Sequence, residues 1–193
     1  MNAFDTLKKM GFAGQGGSLF FKVTIETTTA NETFTLPTIN GYTYNSLIYW
    51  GDDSYSTITA YNDSNRTHSY SNAGTYTIKI TGAFPAWSFY NAGDKDKVTA
   101  VDFGNGFPFE YLANGFYGCS NLATVAGRIS NSISSGIISF QSLFQGCSAL
   151  TSIPTGLFDN NPLVTTFAGC FAGCVSLTSI PTGLFDNNPL VTT

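Results

Sequence analysis

The chain has 193 residues, of which 10% are charged, against roughly a quarter in an ordinary globular domain. Twelve acidic and eight basic side chains leave a net charge of -4, which lacks the clustered cations that a nucleic-acid binder needs to displace counterions. Aromatics at 15% make it too apolar for intrinsic disorder, 20 glycines interrupt any long helix, and no apolar run approaches the length of about 18 needed to cross a bilayer.

Residues 1–17 (MNAFDTLKKMGFAGQGG) contain no apolar stretch of the kind a secretory signal requires, and Lys8 and Lys9 stand where that stretch would lie. With Met1 as the native start, the expectation is a protein made in the cytosol that stays there or leaves with a particle it is built into. Phe4, Leu7 and Met10 recur at helical spacing, which predicts a short amphipathic docking arm, with GQGG as its hinge. Residues 18–97 read as an all-β unit. The segments 19–26 (LFFKVTIE), 42–50 and 75–80 (TYTIKI) have strand composition, and Asn40-Gly41, Gly51-Asp52-Asp53, 62–65 and Asn72-Ala73-Gly74 give turn signals between them.

From residue 98 the texture changes. The segment 150–166 (LTSIPTGLFDNNPLVTT) returns unaltered at 177–193, and F-x-G-C recurs at 116–119, 144–147 and 171–174. Such a period points to a leucine-rich-repeat solenoid. Each L-T-S-I segment suits a strand that Pro154 or Pro181 ends. Phe140, Leu143, Phe144 and Cys147, then Phe167, Cys170, Phe171 and Cys174, follow i, i+3, i+4, i+7, which predicts a short helix with one apolar face per unit. Leu112, Gly115, Phe116 and Cys119 form a weaker copy. The expected fold class is therefore mainly β: a β-sandwich followed by a solenoid with short helices.

Two resemblances bear on this division. Trp50-Gly51-Asp52-Asp53-Ser54, with His68-Ser69-Tyr70 and the Gly74-Thr75-Tyr76-Thr77-Ile78 strand, resembles the polycystic-kidney-disease-type (PKD) sandwich, with Asp53 in place of the family's second turn glycine. The segments 144–154 (FQGCSALTSIP) and 171–181 (FAGCVSLTSIP) resemble BspA-like leucine-rich-repeat surface proteins. That resemblance implies a surface-exposed recognition or adhesion protein of gut and oral bacteria or of the phages that infect them, and it supplies no catalytic motif.

The polar residues read structurally. Cys119, Cys147 and Cys174 share one repeat position and Cys170 replaces Leu143, so reduced core thiols are expected rather than zinc ligands. Coil spacing leaves disulfides between coils geometrically open. Asp159 and Asp186 are copies of one position in F-D-N-N-P; the Asp should cap its turn, and Asn160 with Asn187 and Asn161 with Asn188 should form ladders. Asp52, Asp53 and Asp63 read as acidic turns before calcium ligands, and His68 as a packed strand residue. No catalytic, metal or cofactor residue is assigned.

The functional expectation is a non-enzymatic virion surface component of a bacteriophage, a head fibre, decoration or tail-associated protein. It would bind capsid or tail proteins through Phe4, Leu7 and Met10, and meet a host surface glycan or protein through the solenoid. Thr155, Thr182, Asn160 and Asn187 are the candidate receptor contacts. Such fibres are commonly symmetric homo-oligomers, a trimer among them. A bacterial cell-surface adhesin is the alternative, and a glycan-active enzyme the third reading. The sequence stops where another F-x-G-C would begin, with no polar cap, so either the natural chain is expected to continue or a partner to cover this end.

Overall fold

Alternating burial along residues 21–27 sets the centre of the molecule. Phe21, Val23, Ile25 and Thr27 face inward while Lys22, Thr24 and Glu26 do not, which is the two-residue period of a half-buried strand. The computed structural model describes residues 19–131 and 136–192 and contains eight strands: β1 Phe21–Thr27, β2 Glu32–Thr35, β3 Asn45–Tyr49, β4 Tyr55–Ile58, β5 Thr67–Tyr70, β6 Gly74–Ala83, β7 Val98–Phe109 and β8 Thr124–Asn131. Six of them form one mixed sheet in the order β4-β3-β6-β1-β7-β8, and β2 pairs with β5 in a second, two-stranded sheet. The chain is thus mainly β. The Phe4, Leu7 and Met10 arm lies outside the described residues.

β1 is antiparallel to β6 on one side and to β7 on the other, with a register shift between Thr24 and Ile25. The sheet therefore runs without a break across residues 97 and 98. β7 and β8 are parallel, so from β7 onward the chain returns in the same direction on each pass. Phe21 sits against Trp87, Phe103, Phe107 and Phe109 at ring separations of 5.2, 5.6, 5.8 and 5.0 Å. One apolar cluster reaches from Phe34 and Tyr70 through Phe116 and Phe144 to Leu184.

The expected helices are absent. The only helical pieces among the described residues are two 3-10 turns, Ser64–Arg66 and Lys95–Lys97. The segments 140–147 and 167–174 are turns, and the L-T-S-I segments are not strands, so a leucine-rich-repeat unit of strand and helix is not evident. The hydrogen bonds give the reason. Amides of Leu143 and Cys147 bond back three residues, to Phe140 and Phe144, whereas those of Phe140, Ser142, Phe144 and Gly146 cross to the carbonyls of Thr166, Ala168, Cys170 and Ala172. An α-helix needs every interior amide to bond four residues back; here alternate amides are committed to the next coil. Positive φ at Ser142 (53°) and Gly146 (74°) breaks the helical path as well. The apolar spacing still does its work, since Phe140, Leu143, Phe144 and Cys147 are all fully buried.

Successive coils stack in register. Trp87, Phe116, Phe144 and Phe171 form a column with ring separations of 5.8, 5.7 and 5.8 Å, the three phenylalanines near parallel and Trp87 inclined by 30° to Phe116. Segment 86–90, which the sequence places within the all-β unit of residues 18–97, starts this stack. Its Trp87, Phe89 and Tyr90 amides donate to Tyr111, Gly115 and Asn114.

Candidate functional site

Three places gather the polar residues singled out in the sequence. The first is the loop cluster of the β-unit. Gly51 (φ +93°) carries the chain against β6 so closely that a Cβ there would lie 2.9 Å from the Thr77 amide nitrogen. Asp53, in place of a second glycine, has φ 67°, a left-handed position that Asp tolerates better than most side chains. The turn brings Asp52 to His68, Nε2 to Oδ2 being 2.7 Å. His68 lies flat on Trp50 at 4.9 Å and edge-on to Tyr70 at 4.7 Å, and the Tyr70 hydroxyl donates to the Trp50 carbonyl at 2.9 Å.

Ser54, His68 and Asp52 are thus adjacent, but they do not form a nucleophilic triad. A triad needs Ser on one imidazole nitrogen and Asp on the other. Here the Ser54 hydroxyl and the Asp52 carboxylate both face Nε2, at 3.4 and 2.7 Å, and Ser54 donates to Asp52 instead, at 2.5 Å. Burial pushes the Asp52 carboxyl up, and hydrogen bonds from Ser54 and His68 outweigh it, so the group ends below its ordinary range. Asp63 caps the 3-10 turn by accepting from the Asn65 amide, and also accepts from Thr59. Among the described residues no group of three or more His, Cys, Asp or Glu is placed to share a metal ion.

The second place is the interior of the coil stack. All four cysteines are buried free thiols. Cys147 donates to the Phe116 carbonyl at 3.2 Å and Cys174 to the Phe144 carbonyl at 3.0 Å, each reaching back one coil. Burial pushes all four thiols above their ordinary range, which removes the thiolate that nucleophilic or metal chemistry would use. The thiol-to-carbonyl bond was not anticipated from sequence; its signal was the constant three-residue gap between Phe and Cys.

The third place is the side of the stack. Thr155, Thr182, Asn160 and Asn187 are all exposed there, as a repeated surface row. Asn160 Nδ2 reaches Ser130 Oγ at 3.4 Å, and Asn187 Nδ2 reaches Asp159 Oδ1 at 3.0 Å, so each asparagine bonds to the coil before it. Beneath them, Asn188 Nδ2 donates to the carbonyls of Phe158 and Asn161 at 3.2 and 2.9 Å. Asp159 lies over Gly156, where a Cβ would stand 2.5 Å from Oδ2, and 3.4 Å from the Arg128 guanidinium. Asp186 sits over Gly183 in the same manner. Each carboxylate therefore lies over the glycine of its own turn, but the side-chain partners of Asp159 are Asn187 and Arg128 in neighbouring coils, not the turn amides that a cap would engage.

No protein-family model, no curated protein and no solved structure matches this chain. No helix among the described residues is long and apolar enough to cross a membrane.

Proposed function

We propose that this chain is a non-enzymatic display protein whose leucine-rich-repeat-like stack presents a repetitive polar face, and that it serves at a bacteriophage virion surface. The observation that carries the display reading is the row of Thr155, Thr182, Asn160 and Asn187, exposed and repeated from coil to coil above an apolar interior. The reactive groups are already committed: Asp159 to Arg128 and Asn187, Asp52 to His68 and Ser54, the Cys147 and Cys174 thiols to carbonyls. A hydroxyl and amide row with few charges suits a glycan or a polar protein surface, where hydrogen bonds set specificity and net charge does little.

The placement on a virion rests on the resemblance of the F-x-G-C segments to BspA-like surface proteins and of the Trp50 and His68 segments to the PKD-type sandwich. In that setting Phe4, Leu7 and Met10 anchor the chain to capsid or tail proteins, and copies assemble as a homo-oligomer. Immunogold labelling of phage particles and of bacterial cells with antibody to the full chain tests the placement. Gold on particles supports it; gold confined to cell envelopes replaces it with a cell-surface adhesin. Glycan-array binding that drops when Asn160 and Asn187 are changed to Ala supports the face. Hydrolysis of a bound glycan that is abolished by Asp159→Ala overturns the non-enzymatic reading.

A further inference from the structure

Asparagine is followed by glycine at 40–41, 105–106 and 114–115. In such a pair the backbone nitrogen after the asparagine can close a five-membered ring on the side-chain amide, because glycine puts no Cβ in the way of the approach. The three pairs share that local chemistry and differ in what surrounds them, so the fold decides which of them reacts.

Two of the pairs are held away from the ring geometry. Asn114 donates its amide to the Gln141 carbonyl at 2.8 Å, and the Gly115 amide, which would be the nucleophile, is already bonded to the Leu112 carbonyl at 2.9 Å. The Asn114 carbonyl accepts from Tyr90 and Tyr117, Gly115 is buried, and a Cβ on Gly115 would lie 2.8 Å from Leu143 Cδ1. Asn105 is exposed but lies within β7, paired with Arg128 of β8 between two register shifts. Turning its backbone into the ring would pull β7 from β8. Both pairs therefore need a local opening before they can react.

Asn40-Gly41 is built differently. Both residues are exposed in the turn between β2 and β3. The Gly41 amide donates to Oδ1 of Asn40 at 2.9 Å, which sets the nitrogen beside the side-chain amide that it would attack. Gly41 has φ +93°, and a Cβ there would meet nothing within 4 Å, so the reacting atoms have free space around them. The anchors of the turn lie just before the ring. The Ile39 amide donates to the Tyr44 hydroxyl at 2.8 Å, and Thr38 is tied to the Tyr61 carbonyl and to Arg66.

We propose that Asn40 is a self-modifying site, at which the exposed turn converts to an aspartyl or isoaspartyl linkage without an enzyme. The Gly41 nitrogen gives its proton to solvent base and bonds to Asn40 Cγ; the Cγ–Nδ2 bond breaks, and Nδ2 takes a proton from water and leaves as ammonia. Water then opens the succinimide at either carbonyl. Breaking the new N–Cγ bond restores the ordinary backbone with aspartate, and breaking the original peptide bond leaves isoaspartate, with one more carbon in the backbone. Either product adds one carboxylate and takes the net charge from -4 to -5. The site lies in the β-unit, so the inference goes beyond the display function of the stack.

Incubation of the full chain at mildly alkaline pH, followed by peptide mapping with mass spectrometry, tests this. The peptide containing Asn40 should convert from amide to acid about tenfold faster, or more, than those containing Asn105 and Asn114, whose reaction waits on an opening. Isoaspartyl methyltransferase should label the same peptide. In guanidinium chloride, where the structure is lost, the three rates should come together. Asn40→Gln, whose longer side chain disfavours the ring, should remove the acidic species from isoelectric focusing of the native chain. An Asn40 that stays an amide in the native chain overturns the proposal. So does native conversion at Asn105 or Asn114 as fast as at Asn40, or a rate difference that persists in guanidinium chloride, since the fold would then not be its cause.

Discussion

Glycines with positive φ carry unequal loads in this chain, and the difference can be tested. Gly127 has φ +79°, and a Cβ there would stand 2.6 Å from the Gly104 amide nitrogen and carbonyl oxygen, both backbone atoms that cannot swing away. Gly146 has φ +74°, yet its nearest neighbour, the Gly118 Cα, would be 3.6 Å away, an ordinary contact. Gly127→Ala should therefore cost clearly more than the conformational penalty of about 1–2 kcal/mol, and Gly146→Ala about that penalty alone. Urea denaturation of the two variants compares them; equal losses would refute the contact argument. A second residue-scale prediction concerns acid. Glu32 accepts four hydrogen bonds, from the hydroxyls and amides of Thr28 and Thr29, and these hold its carboxyl down from 4.5 to about 2. Asp52, Asp63, Asp96 and Asp102 are lowered as well. A depressed folded-state value gives stability that is complete above the unfolded value and is lost as pH falls through the folded one. The urea midpoint should accordingly drop as pH is lowered from 4.5 toward 2, and Glu32→Gln should flatten part of that slope. A midpoint that does not move over this range would contradict the assignment.

At the scale of the element, the coil is the unit, and its stability depends on its neighbour. Phe158 packs at 4.8 Å from both Phe140 and Phe167 and stacks on Phe185 at 6.0 Å. Phe158→Ala should cost about 3–5 kcal/mol, as for other fully buried aromatics. Phe185→Ala, in an identical local sequence, should cost about 1–2 kcal/mol, in keeping with its partial burial. Chemical denaturation reads both, and equal costs would mean that local sequence, not stacking, sets the energetics. Three strands of the β-unit were legible because their signals are local: alternation in residues 75–80 became part of β6, the run at 19–26 overlaps β1 and the segment 42–50 contains β3, whereas the short β2 and β4 carry too little alternation to be named. The helices of the repeat were not legible, because an i, i+3, i+4, i+7 stripe reports which side chains share a face and says nothing of where the amides bond. Ser142 and Asn114, both at positive φ, carry no sequence signal strong enough to warn of this.

At the scale of the molecule, one apolar cluster joins the β-unit to the stack through Trp87 and Phe116. Segment 84–90 escaped the sequence reading because it carries no F-x-G-C and no strict alternation. Its role as first layer appears only once Trp87 is seen beneath the phenylalanine column. Burial of the thiols predicts their chemistry: iodoacetamide should alkylate the native chain slowly at all four cysteines and rapidly after unfolding. Cys174, 8% exposed under the last coil, should react before Cys119 and Cys147, which are fully buried. Mass spectrometry of a labelling time course checks the order, and uniform fast labelling would be incompatible with the packing described.

By itself the sequence determined the period of the coils, the side chains that line their interior, the structural use of the F-D-N-N-P turn and the mainly β character of the chain. Each of these follows from residue type and spacing. The tertiary structure alone decided that the stripe segments are turns rather than helices, that the sheet continues past residue 97, and which of two identical segments is covered. Those outcomes depend on what lies alongside a segment: an amide chooses between its own turn and the next coil, and a side chain is buried only if another coil is placed over it.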